Sequence, residues 1–124
     1  MGNPRMSKSY NAEAGIAAFT IVKVGANDLG ALQAAAATDK IIGVTTEIAA
    51  VTSEPVDVVF AGIAYVKLGG TVARGDILTS DTNGNAITAA PAAGTNNRTI
   101  GIARVSGVVG DVAEVMLALG TFQG

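Results

Sequence analysis

Hydrophobic and polar positions alternate in short runs, and glycine-rich or polar turns cut the runs apart. Residues 19–24 (F-T-I-V-K-V) alternate and are rich in β-branched side chains, which predicts a strand with Thr20 and Lys23 facing outward. The segment 32–38 (L-Q-A-A-A-A-T) has alanine's helix propensity but is too short to stand as a helix, so a strand ending in an alanine-rich turn is expected, with 41–46 (I-I-G-V-T-T) as the next strand. Pro55 marks a loop, after which 56–60 and 63–68 read as two strands. Gly69-Gly70 ends the second, and Gly75-Asp76 opens a short strand at 77–79. Asn83-Gly84 predicts a hairpin with a type I′ turn, because both central positions of that turn need positive φ. A flexible loop is expected over 89–97, then closing strands at 99–105 and 112–119 with a turn over 106–111. The pattern is all-β with little or no helix, a small barrel or sandwich of short strands.

Two further patterns bear on organisation. Residues 1–11 (M-G-N-P-R-M-S-K-S-Y-N) are polar and slightly basic and contain Pro4, so they are expected as a flexible, extended N-terminal arm, leaving 12–124 as one domain. Ile42-Gly43-Val44 followed by Val56-Asp57-Val58-Val59-Phe60 recurs as Ile100-Gly101-Ile102 followed by Ala113-Glu114-Val115-Met116-Leu117. Each copy runs from one strand through a polar turn to a second strand with an acid near its start, as two equivalent hairpins in one barrel would.

Composition sharpens this. Of 124 residues 49% are hydrophobic but only 4% aromatic, so alanine and valine carry the core and each buried position removes little apolar area. Such a chain is expected to complete its burial against copies of itself. The net charge is −2, and Lys23, Lys40, Lys67, Arg74, Arg98 and Arg104 are scattered, which argues against nucleic-acid binding. No apolar run approaches the ~20 residues of a membrane helix, and residues 1–9 lack the apolar centre of a signal peptide, so a soluble protein made in the cytoplasm is expected.

Histidine and cysteine are absent, which removes the commonest general base, the soft-metal ligands and any Ser-His or Cys-His dyad. Asp76 and Asp81 read as solvated turn acids rather than a carboxylate pair, as do Glu47, Glu54 and Asp57. Asp81-Thr82-Asn83-Gly84-Asn85 fails the calcium-loop pattern, since glycine falls fourth and the twelfth position is Ala92. The glycines of 101–110 lack dinucleotide-binding spacing. Arg74-Gly75-Asp76 spells an adhesion tripeptide, yet Gly75-Asp76 already serves as a turn entering a strand. Lys23 and Lys67 are expected at sheet edges. No catalytic residue, cofactor or metal follows, and the chain is not expected to be an enzyme.

Ser7-Lys8-Ser9-Tyr10-Asn11, Ile21-Val22-Lys23, Ala35-Ala36-Ala37-Thr38-Asp39, Ile42-Gly43-Val44, Gly62-Ile63-Ala64, Leu68-Gly69-Gly70-Thr71-Val72, the run from Gly75 through Ile77-Leu78-Thr79-Ser80 to Asp81, and Ile100-Gly101-Ile102-Ala103 together resemble the capsid cement (head decoration) proteins of tailed bacteriophages and prophages. The likeness covers nearly the whole chain, through motifs that are individually turn and strand grammar. It implies a β-rich structural protein, made in the host bacterial cytoplasm, that binds the outer surface of the expanded head. Its partners would be the major capsid protein and itself, as a small homo-oligomer with a trimer favoured over a dimer. Within that resemblance the arm is the expected capsid contact: Pro4 keeps it extended, Arg5 and Lys8 pair with shell carboxylates, and Met6 and Tyr10 fill shallow pockets. Other phage structural roles (tail, tube or surface layer) and a receptor- or carbohydrate-binding module are the alternatives.

Overall fold

A computed structural model describes residues 5–124, which form nine strands and no helix. They are β1 (Arg5–Ala12), β2 (Ile21–Val24), β3 (Gly30–Gln33), β4 (Ile41–Thr45), β5 (Pro55–Lys67), β6 (Ile77–Ser80), β7 (Ala86–Thr88), β8 (Asn96–Ala103) and β9 (Val112–Gln123). The expected all-β fold of short strands is the fold observed. Hydrogen bonding orders them β1-β3-β2-β4-β5-β9-β8-β6-β7, and a further pairing of β1 with β5 closes the first five into a ring. Residues 56–60 and 63–68, expected as two strands, run together as β5, with Pro55 at its first position.

That long strand carries the architecture. On β1, Met6 faces Ala61 and Ser7 faces Val59, so Phe60 is an extra residue, a β-bulge. One extra residue reverses which side of the sheet later side chains take. Val56 and Val58 therefore point into the ring with Ala12, Ile16, Val22, Ala31 and Ala50, while Val59, Ala64 and Val66 point to the other side, into a second cluster with Leu68, Leu78, Ile100 and Val115.

The second cluster is the inside of a second ring. The two halves repeat with an offset of 55–58 residues. Ala12 bridges Ala31 in parallel in the first, and Leu68 bridges Ala86 in parallel in the second. Ile16 meets Ala50 as Val72 meets Gly107. Ala12 N–H donates to Glu54 O (2.9 Å) and its carbonyl accepts from Ser53 N–H (2.7 Å), while Leu68 N–H donates to Asp111 O (2.8 Å) and the Leu68 carbonyl accepts from Gly110 N–H (2.9 Å). Residues 62–67 of β5 thus stand to β9 as β1 stands to β5. The protein is two five-stranded barrels sharing β5, and the repeat visible around Gly43 and Gly101 extends through both halves.

Gly43 and Gly101 show why the repeat has its most visible sequence there. A Cβ at Gly43 would strike the carbonyl oxygen of Val59, and one at Gly101 that of Met116, with φ at 155° and 149°. Val59 and Met116 are themselves equivalent, opposite Val44 and Ile102. The neighbouring strands approach so closely that only glycine fits.

Four expectations are corrected. Residues 5–11 are not a loose arm: β1 is hydrogen-bonded along β5 from Arg5↔Gly62 to Asn11↔Pro55. Strand pairing needs only the backbone, so polar side chains on the solvent side did not prevent it. Thr20 does not face out but is buried, its N–H donating to Thr45 Oγ1 (2.9 Å) and its hydroxyl to Ala18 O (2.9 Å). Lys23 is not at an edge, since β2 pairs with β3 and β4 on its two sides; it lies 3.5 Å from Asp39. The hairpin between β6 and β7 is a five-residue connection, not a two-residue type I′ turn, because Asp81 Oδ1 accepts from Asn83 N–H (2.8 Å) and Asn85 N–H (2.9 Å), and only Gly84 takes positive φ.

Candidate contact surfaces

The predicted contact residues lie on or beside β1. Pro4 falls outside the described residues. Arg5, Met6 and Lys8 are exposed, Met6 at 61%, whereas Tyr10 is partly buried against the first barrel's interior with Ala12 beyond it. Strand alternation sends Met6, Lys8 and Tyr10 to one face and Arg5 to the other, so the structure does not gather all four. Tyr10 is equivalent to Val66, a core residue of the second barrel, and serves the fold in the same way.

Several acids are engaged in local structure. Asp76 Oδ2 accepts from Ala73 N–H (2.9 Å) and from the Thr88 hydroxyl (2.9 Å), and Gly75 N–H donates to Ala103 O (2.7 Å). The Arg74-Gly75-Asp76 sequence is therefore a turn entering β6, with its carboxylate hydrogen-bonded at home. Glu13 accepts from Ala26 N–H (2.7 Å) and Asn27 N–H (2.9 Å), and these backbone bonds hold its carboxyl below the ordinary glutamate value against a weaker upward push from burial. Asp81 performs the corresponding task in the second half. The pair is exchanged: Glu13 and Gly25 of the first half occupy the places of Gly69 and Asp81 in the second. A Cβ at Gly25 would run into Glu13, and one at Gly69 into Asp81. Each half has one carboxylate holding its hairpin, supplied from opposite strands.

A depression of about 170 Å³ lies between the barrels, lined by Ile41, Arg98, Thr99, Leu119, Gly120 and Thr121. It brings one cation together with hydroxyl and aliphatic groups and no acid or base partner for proton transfer.

A surface not expected from the sequence lies on the second barrel. Ile77 pairs with Ile102, Ile102 with Met116, and Met116 with Ile63, so four large apolar side chains form a row across β6, β8, β9 and β5. Ile77, Ile102 and Met116 are 37%, 44% and 46% exposed. Beside the row, Tyr65 stands opposite Glu114, which accepts from Arg104 Nε at 2.7 Å. The alternation of β9 alone would have placed Met116 opposite to Val115; only the strand pairings show that four such residues coincide.

The candidate site is thus a pair of surfaces on an all-β tandem barrel, the exposed side chains of β1 and the apolar row of the second barrel. No family model matches the chain, and no curated protein matches it in sequence. In fold it is similar to a solved structure, the head fibre gp8.5 N base of bacteriophage phi29, with a TM-score of 0.67 and 17% identity over 98% of this chain and 100% of that one.

Proposed function

We propose that the protein is a structural component of the outside of a tailed-phage head, and more finely a decoration (cement) protein that binds the expanded shell as a small homo-oligomer, a trimer being favoured. The observation that carries the reading is the end-to-end likeness in fold to a head-fibre base, in which neither chain leaves a domain unmatched. The sequence resemblance to cement proteins and the engagement of the acids in turns agree with it. Its proposed partners are the major capsid protein and other copies of itself, and its place is the virion exterior.

Stabilisation follows from linkage. A protein that binds only the expanded lattice stabilises that lattice by RT ln(1 + [L]/Kd), about 2.7 kcal/mol at one hundred times Kd. An oligomer that touches several shell subunits gains effective concentration for each added contact. The exposed side chains of β1, Met6 and Lys8 on one face and Arg5 on the other, are the proposed capsid contacts; Tyr10 contributes by anchoring the strand that carries them.

Removing β1 would open the first barrel, so its contact role is tested by charge reversal. Arg5→Glu with Lys8→Glu is expected to lower occupancy on purified expanded capsids at least tenfold by cosedimentation, with thermal stability retained. Full occupancy would sink the β1 contact, and failure of the parent protein to cosediment at all would sink the head-binding reading. A second reading, the base of a head fibre, is favoured by the likeness to the phi29 protein, itself the base of a head fibre; cryo-EM of decorated capsids separates a bare knob from a base carrying a projecting fibre.

A further inference from the structure

The repeat supplies an internal standard for judging the exposed row. In the first barrel the equivalent positions are Ile21, Val44, Val59 and Ser7, joined by the same pairings: Ile21↔Val44, Val44↔Val59 and Val59↔Ser7. There the three apolar members are buried, at 0%, 0% and 1% exposure. They belong to the cluster that also contains Ala64, Ile100, Val115 and Leu117 of the second barrel, and β4 lies against β8 and β9. The first barrel's outer row is thus the surface on which the chain packs its second barrel. On the second barrel the same row is still apolar and has gained Ile63 in place of Ser7, but three of its members, Ile77, Ile102 and Met116, are exposed, with Ile63 half-buried at its end.

We infer that the row Ile77, Ile102, Met116 and Ile63 is a subunit interface, occupied by a second copy of this chain. Its counterpart on the first barrel already serves as a barrel-to-barrel contact inside each chain. The chemistry of its surroundings fits a like partner. Its centre is aliphatic with Tyr65 at its border, and its rim holds Arg104 and Glu114 together, both signs in one patch. A strongly charged partner would find no net complement here, whereas a second copy brings the same two charges and can exchange them across the contact. Valine- and alanine-rich barrels bury little area per residue, and covering four large aliphatic side chains adds area of the kind that sustains association. The inference rests on the head-protein reading only in expecting self-association, and it stands or falls without a capsid.

Sedimentation velocity over a concentration series tests it. The parent protein is expected to associate, and Ile102→Lys with Met116→Lys to weaken association at least tenfold with the melting temperature little changed. Ile48→Lys, at a position 67% exposed on the other half, is expected to leave association intact. If the lysine pair prevents folding, a single-cysteine variant decides, since the chain has no cysteine of its own. Maleimide labelling of Met116→Cys is expected to slow about tenfold between dilute and concentrated protein, and labelling of Ile48→Cys is not. A parent protein monomeric to roughly 100 μM overturns the inference, as does association that survives the lysine pair or labelling of position 116 that ignores concentration. A monomer that still cosediments with capsids sinks the interface and spares the head-binding reading; an oligomer blocked by the lysine pair that never binds capsids does the reverse. Loss of capsid binding by the lysine pair in a chain that is always monomeric assigns the row to the shell protein and overturns self-association.

Discussion

The two barrels share a register and differ in what surrounds it. Both close a first strand onto a fifth, both bring strands together at a glycine against a carbonyl, and both hold the hairpin after the second strand with one carboxylate. They part in three respects. The apolar members of the first barrel's outer row are buried, while three of the four members of the second's are exposed. The first has the small Ala12 at its parallel bridge, where the second has the larger Leu68. The first also places three non-glycine residues in the left-handed region, Phe19 (φ 53°), Leu29 (φ 61°) and Ser53 (φ 73°), at positions where the second has Gly75, Gly84 and Gly110. Backbone pairing, not side-chain identity, is therefore what the repeat preserves. The side chains were free to diverge wherever a neighbour could compensate.

The strongest way to break this equivalence is at its two tightest points. Gly43→Ala and Gly101→Ala each force a methyl group onto a neighbouring carbonyl, and overpacking of that kind with backbone strain costs about 3 kcal/mol or more. The two variants are expected to lower the urea midpoint by similar amounts at unchanged m-value. A large loss from one and none from the other would mean that the barrels do not share this geometry.

The carboxylates give a smaller effect and a sharper one. Asp81→Ala removes the acceptor for two backbone N–H groups and is expected to cost about 1 kcal/mol. Glu13 is distinguished by pH. Its folded-state pKa lies below the unfolded value, so its contribution is present above the ordinary glutamate range and is lost as pH falls through the depressed folded value. The difference in melting temperature between the parent and Glu13→Gln should therefore shrink on acidification and be largest near neutrality. The exchange itself is testable: Glu13→Gly combined with Gly25→Asp rebuilds the second half's arrangement in the first, and should recover stability that Glu13→Gly alone loses. A double variant no better than the single one would separate the two hairpins.

Alternation and glycine punctuation located most strands because each has one buried face, and the Gly43 and Gly101 motifs stood out because no other residue fits there. The remainder of the repeat was hidden where compensation operates. Residues 6–12 (M-S-K-S-Y-N-A) and 62–68 (G-I-A-Y-V-K-L) share no identity at the 56-residue offset, since the first lies at the solvent side and the second forms the wall between barrels. Hence β1 read as an arm. The apolar row was hidden for a different reason: Ile63, Ile77, Ile102 and Met116 come from four strands, and only the pairing register brings them together.

The smallest predicted difference tests the backbone alone. Ser53 and Gly110 have φ of 73° and 92° at equivalent places, each donating its N–H to the closing residue of its barrel. A Cβ at Gly110 would have no atom within 4 Å, so nothing but conformation opposes a side chain there. Gly110→Ser should then cost about 1 kcal/mol, the usual penalty of left-handed backbone for an L-residue. Ser53→Gly should gain less, about 0.5 kcal/mol, because relief of strain is partly offset by the added freedom of glycine in the unfolded chain. Opposite signs, read by chemical denaturation, are what equivalent turns require. Equal losses in both variants would show that Ser53 is held by contacts its counterpart lacks, and would limit the repeat to the strands.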